Sequence, residues 1–269
     1  MISALREMIV DNWVWRDQIW RLAVTELQKQ VRGTVLGWVW LILSPIIYVS
    51  VFWFALEIGL RSGSPVAGVP FLVWLTTGLF PWFFMSSMLG QGSNLYKRYG
   101  YLINKLRFPI SVISSFFTMA QFIIFLLTLV VVLIVMGITR TSLTIYALQV
   151  PFLAIIMFVF WALWSMMTSP LSALSKDFHN IIRAMNTPLF WVSGTIFSVS
   201  HIHVAWIRWV LSFNPINFFV TGFRAALCEH FWIWEQPRTI YPFIGVFVLF
   251  LIGALRVQAR LGSEVADVL

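Results

Sequence analysis

The densest run of side chains able to bind a partner is Leu95-Tyr96-Lys97-Arg98-Tyr99-Gly100-Tyr101-Leu102-Ile103-Asn104-Lys105-Leu106-Arg107, which leads into Phe108-Pro109. It mixes four cations and three tyrosines with several aliphatic side chains. Cations alone are enough to keep a loop on the inner side of a membrane. The aromatic and aliphatic residues exceed that need. They suit a short helix seated in a groove of a cytosolic partner, with Tyr96, Lys97, Arg98, Tyr99, Tyr101, Leu102 and Lys105 as its contacts. The plainer reading is that the segment only sets topology.

Nothing in the chain is arranged for covalent or metal chemistry. There is no GxxxxGKS/T phosphate loop, no HExxH, no GxSxG and no cysteine pair. The single cysteine, Cys228, excludes an intrachain disulfide. His201 and His203 could be imagined on a metal, but two histidines among aromatics read better as membrane-boundary residues. No catalytic residue and no metal ligand is assigned. The acids do not fall at mid-span depth, as a proton-coupled carrier would require. Glu57 is near a span end, four residues before Arg61 and spaced for a helical ion pair, while Asp177, Glu229 and Glu235 lie outside the spans.

The elements that must position these side chains belong to a membrane. Of the 269 residues 60% are apolar and 10% charged, and the mean hydropathy is +0.87. A soluble domain carries about 25% charged residues. The net charge of +8 and pI near 10.2 do not point to nucleic acid, because the basic residues are scattered between apolar runs. The expected fold is all-α: a polytopic membrane protein with six transmembrane helices at 34–60, 71–92, 108–138, 146–172, 186–200 and 240–258. Pro45 would kink the first of them.

Ahead of the spans, 12–32 reads as an amphipathic interfacial helix. Trp13, Trp20, Val24, Leu27 and Val31 share one face, and Arg21, Lys29 and Arg32 lie on a flank. A solvated helix docked on the bundle is the alternative. About thirty mixed residues precede the first apolar run, which argues against a cleavable signal peptide. Between spans five and six, the short apolar stretches 202–213 and 217–228 meet at Asn214-Pro215 and read as an outer re-entrant helical hairpin. With both termini in the cytoplasm, thirteen Lys and Arg fall inside and five (Arg61, Arg140, Arg208, Arg224 and Arg238) outside. Three regions result: a cytoplasmic N-terminus 1–33, a transmembrane domain 34–258 and a cytoplasmic tail 259–269.

The chain resembles the membrane subunits of ABC-2 type exporters, in the branch that exports cell-surface polysaccharides and teichoic acids. Arg32-Gly33-Thr34-Val35-Leu36-Gly37-Trp38-Val39-Trp40 with Leu43-Ser44-Pro45 looks like the family's junction into the first span. Lys105-Leu106-Arg107-Phe108-Pro109-Ile110 looks like its entry to the third. Lys176-Asp177-Phe178 resembles an Arg-Asp-Leu inner loop with two conservative departures, and Asn214-Pro215 through Gly222-Phe223-Arg224 resembles its outer hairpin. Gly59-Leu60-Arg61-Ser62-Gly63, Gly68-Val69-Pro70-Phe71 and Gly78-Leu79-Phe80-Pro81-Trp82-Phe83-Phe84 look most like a wall teichoic acid permease.

The resemblance implies a half-transporter in a bacterial plasma membrane. It would pair with a second copy and with two separate ATPase subunits that hold ATP and Mg, this chain having no cofactor of its own. The interfacial helix and the 95–107 segment would dock the ATPases. The substrate would be a teichoic acid polymer on undecaprenyl diphosphate, with O-antigen or capsular polysaccharide as the alternative. A path for it needs polar groups for phosphates and aromatic faces for sugars; Tyr48, Phe52, Trp53, Phe190, Trp191 and Phe197 are the expected lining. A different class, an intramembrane glycosyl- or phosphotransferase, would need acids or histidines clustered at one face, and Glu57, Asp177 and Glu229 are spread over different faces.

Overall fold

The computed structural model describes residues 2–60, 65–106, 108–199 and 202–268, with side chains omitted at 2–4, 103–106, 110 and 260–268. Two helices, α1 (Ile2–Val14) and α2 (Arg16–Val31), precede the bundle. The bundle contains α3 (Trp40–Trp53), α4 (Phe71–Gly90), α5 (Leu95–Leu106), α6 (Ile110–Ile138), α7 (Gln149–Leu174) and α8 (Lys176–Val192). Two short helices, α9 (Ala205–Ser212) and α10 (Pro215–Arg224), and the long α11 (Pro237–Val268) complete it. Among the described residues the chain is helical, and its one extended contact is an isolated bridge between Val66 and Val69.

Among the described residues five helical stretches are long and apolar enough to cross a bilayer: Gly37–Gly59, Phe71–Leu102, Ser111–Ile138, Ile145–Leu174 and Pro237–Ala259. The fifth span expected at 186–200 does not form a helix of that length, because α8 ends at Val192 and an irregular segment follows. Gly194 takes φ +73° there, a left-handed conformation that favours glycine. The expected 12–32 helix is divided at Trp15, so Trp13 belongs to α1. The helix that begins at Pro237 also continues to Val268, through the stretch read as a tail.

Burial ranks the spans. Within an 18-residue apolar window of each, 78% of the residues are buried in Phe71–Leu102 and only 6% in Gly37–Gly59, so α4 is the central element and α3 an outer one. Stacked phenylalanines fill the middle: Phe80 on Phe125 at 5.3 Å, Phe80 edge-on to Phe223 at 4.9 Å, and Phe218 parallel to Phe243 at 3.7 Å. Hydroxyls in this apolar interior bond back to their own helices: Thr77 donates to the Trp74 carbonyl, Thr118 to that of Ser114 and Thr168 to that of Trp164. That satisfies groups which lipid could not.

α8 runs antiparallel beside α4 in steady register. His179 shares a hydrogen bond with Ser93 at 3.3 Å, Asn186 bonds Ser86 at 2.9 Å, and Phe190 meets Trp82 at 5.2 Å. Further on, the Thr195 carbonyl lies close against Gly78.

α9 and α10 meet at Asn214, as the Asn-Pro pair suggests. The Asn214 side chain caps α10 by accepting from Ile216 N at 3.0 Å and donates to Ser193 at 2.7 Å. The chain then returns past Gln149, which donates to the Phe231 carbonyl and accepts from Ile233 N, both at 2.8 Å.

Candidate functional site

The first functional region joins α2 to α5. The stripe Ile19, Ala23, Glu26, Leu27 and Val31 is the buried face of α2. Leu27 and Val31 face inward, Val24 is half-buried, and Trp13, Trp20, Arg21, Lys29 and Arg32 are exposed. Glu26 is 1% exposed. It accepts a hydrogen bond from Arg98 Nη2 at 2.6 Å and another from the Tyr99 hydroxyl, and Lys29 lies 3.5 Å away. Arg98 also donates to Gln91 at 3.0 Å, and Tyr99 packs edge-on against Phe116. A buried carboxylate needs such charged donors to remain ionised. Glu26 is thus the common acceptor that fastens α2 to α5.

This geometry corrects the expected role of the tyrosines. Tyr96, Tyr99 and Leu102 lie on the inner face of α5 and are 1%, 2% and 6% exposed. They sit three residues apart, which is one face of a helix, and that face packs within the chain. Tyr96 N donates to Ser169 on α7 at 2.7 Å. They are core residues and cannot be anchors in a partner's groove. Lys97, Arg98 and Tyr101 are the exposed members; the side chain of Lys105, together with Arg107, lies outside the described residues. Tyr96→Ser should cost about 3 kcal/mol or more, as large-to-small core changes do, and cut monodisperse yield on size exclusion. Tyr101→Ser should leave that yield unchanged.

The second region is an aromatic ladder between α3 and α8. Tyr48 stacks on Phe52 at 5.0 Å and meets Phe83 edge-on at 5.3 Å; Phe52 meets Phe190 at 5.3 Å, and Phe190 meets Trp191 at 5.6 Å. Four of the six expected path residues therefore come together. Trp53 packs against the main core, and Phe197 is elsewhere, its carbonyl accepting from Arg224 at 3.2 Å. A surface concavity of about 300 Å³ lies beside Tyr48 and Phe52.

Two residues that the sequence reading did not single out as site residues are Glu26 and Arg224. Arg224, 3% exposed, donates to the carbonyls of Gly194 at 2.6 Å and Thr195 at 2.5 Å, and its guanidinium lies 3.5 Å from the centre of the Trp74 ring. A lone arginine inside the apolar stretch 217–228 was the available signal, since a charge at membrane depth is functional or structural by default. For Glu26 the signal was its place in the Ile19, Ala23, Leu27 stripe. Among the described residues no three His, Cys, Asp or Glu gather as metal ligands. His203 is exposed, and His201 and Arg61 lie outside the described residues.

An apolar bundle of at least five spanning helices, clamped to helices outside it, defines a multi-pass membrane protein. The ABC-2 type transporter family matches over residues 17–228, a range that takes in the Glu26 clamp, the aromatic ladder and Arg224, and the chain belongs to that family. It is a membrane subunit of transport. O-antigen export system permease protein RfbA of Myxococcus xanthus is 23% identical over 256 residues, which are 95% of this chain and 95% of the relative. A protein of the same name from Klebsiella pneumoniae is 24% identical over 247 residues, 91% of this chain and 92% of the relative.

Proposed function

We propose that this chain is the permease of an ATP-driven exporter that moves a polysaccharide on undecaprenyl diphosphate from the inner to the outer leaflet. The observation that carries this reading is the end-to-end match to relatives named as O-antigen export permeases. Those names favour an O-antigen type of polymer and reverse the order expected from residues 59–84, where teichoic acid came first. The aromatic ladder supports it too, because the exposed rings of Tyr48 on α3 and Trp191 on α8 suit sugars.

The remaining parts follow from the same reading. Both termini are cytoplasmic, in keeping with the thirteen inner cations. α8 with the segment after it makes a sixth crossing, supported by its register along α4 from Ser93 to Gly78; α9 and α10 re-enter from the outer side. Two ATPase subunits hold ATP and Mg and dock on Lys97, Arg98 and Tyr101 with the exposed flank of α2. A second copy covers the sparsely buried α3.

The purified chain should hydrolyse no ATP, with activity appearing only when its ATPase is added. Expressed with that ATPase, it should restore surface polymer to a strain lacking its O-antigen export permease and not to one lacking its teichoic acid permease. Hydrolysis by the isolated chain, or rescue of neither strain, would overturn the reading.

A further inference from the structure

A cavity that the proposed transport path does not use lies where α9, α10 and the start of α11 meet. It occupies about 700 Å³, within the range of small-molecule sites. Each of these helices contributes one arginine to its wall: Arg208, Arg224 and Arg238. Glu229 is the one acid in the lining, so three cations and one anion leave a formal charge of +2. Trp209 and Tyr241, both well exposed, add ring faces.

Arg224 shows that the site is built. Its Nη atoms are held by backbone carbonyls and its plane by Trp74, while the buried Nε has no hydrogen-bond partner. The cation is fixed in place before any ligand arrives. Arg208 and Arg238 stand nearer solvent and are free to fork onto an incoming group.

We propose that this cavity binds the phosphorylated head of a lipid-linked glycan, a diphosphate beside a sugar, at the face where the lipid emerges. The proposal rests on the export reading above. Guanidinium groups pair bidentately with phosphoryl oxygens, which a compact ammonium does less well. The aromatic faces of Trp209 and Tyr241 suit the adjoining sugar ring. A neutral lipid or a bare glycan would leave the surplus positive charge unused.

The test measures binding to the purified chain in neutral-lipid nanodiscs, read by tryptophan fluorescence. The probes are inorganic pyrophosphate and a polyprenyl diphosphate sugar, each against wild type and an Arg208→Gln, Arg238→Gln double variant. The double variant should bind both about tenfold or more weakly, the factor that follows loss of one charge-assisted hydrogen bond. Arg208→Lys with Arg238→Lys should recover part of that loss. Phosphatidylglycerol in the nanodisc should not compete with the sugar lipid. Equal competition by phosphatidylglycerol would mark a site for any anionic headgroup and overturn the proposal, as would unchanged binding by the double variant. Export by the wild-type complex is scored separately, so a failed pocket and a failed export reading give different results.

Discussion

Glu26→Ala should destabilise the protein by about 2–4 kcal/mol and uncouple α2 from α5, while membrane insertion continues. Glu26 accepts from Arg98 and Tyr99 and faces Lys29. Cutting a fully buried ion pair costs about 3–5 kcal/mol because a charge is left stranded. Here the side chains of Arg98 and Lys29 are 38% and 47% exposed and can turn to water, which lowers that figure. The Tyr99 hydroxyl cannot turn away so easily, and an orphaned buried donor costs about 1–3 kcal/mol. The measurement is thermal unfolding in detergent, with Glu26→Gln intermediate because its amide oxygen still accepts. Glu26→Ala combined with Tyr99→Phe should cost less than the sum of the two. A melting curve for Glu26→Ala that overlays wild type would refute the clamp.

Gly78→Ala should be at least as damaging, although it adds one methyl group. A Cβ at Gly78 would collide with Arg224 Nη2 and with the Thr195 carbonyl. Relief requires either that the guanidinium leave its carbonyls or that α8 and α4 separate. Overpacking alone costs about 1–3 kcal/mol. A displaced cation at this depth adds several more. Folded yield should fall to a small fraction of wild type. Arg224→Met in the Gly78→Ala background should recover part of it, since the shorter, uncharged side chain relieves one of the two collisions. Wild-type yield from Gly78→Ala alone would mean that Arg224 does not occupy this position.

Spans one to four and the last were legible because each is a long apolar run, and the break at Asn214-Pro215 was legible because proline cannot continue a preceding helix unaltered. The fifth was not. Lys176, Asp177 and Arg183 dilute the first half of α8, and a left-handed turn at Gly194 ends its continuation. α8 is placed by contact with α4, which no local pattern encodes. The 95–107 segment was legible as a helix with two faces but not as to which face was covered. Apolar spacing says that Tyr96, Tyr99 and Leu102 meet something; whether that is the same chain or another depends on α6 and α7. Glu26 and Arg224 were missed for one reason. Arg224 was counted by the side of the membrane on which it fell, and Glu26 was not weighed at all, because neither was set against its neighbours in the helix.

The register between α4 and α8 also has a history in time. Ser86 and Asn186 are 100 residues apart, which at about 5–20 residues per second means that the second span waits about 5–20 seconds for its neighbour to be synthesised. Arg224, which closes over Gly78, arrives later still. Throughout that interval the second span presents small and hydroxylated side chains, Gly78, Ser86 and Ser93, without their partners on α8 and beyond it. The centre of the finished bundle is therefore the part of the nascent chain left incomplete the longest. A ribosome stalled before Asn186 should leave that flank open to cross-linking by the insertion machinery, and one stalled well beyond Arg224 should not.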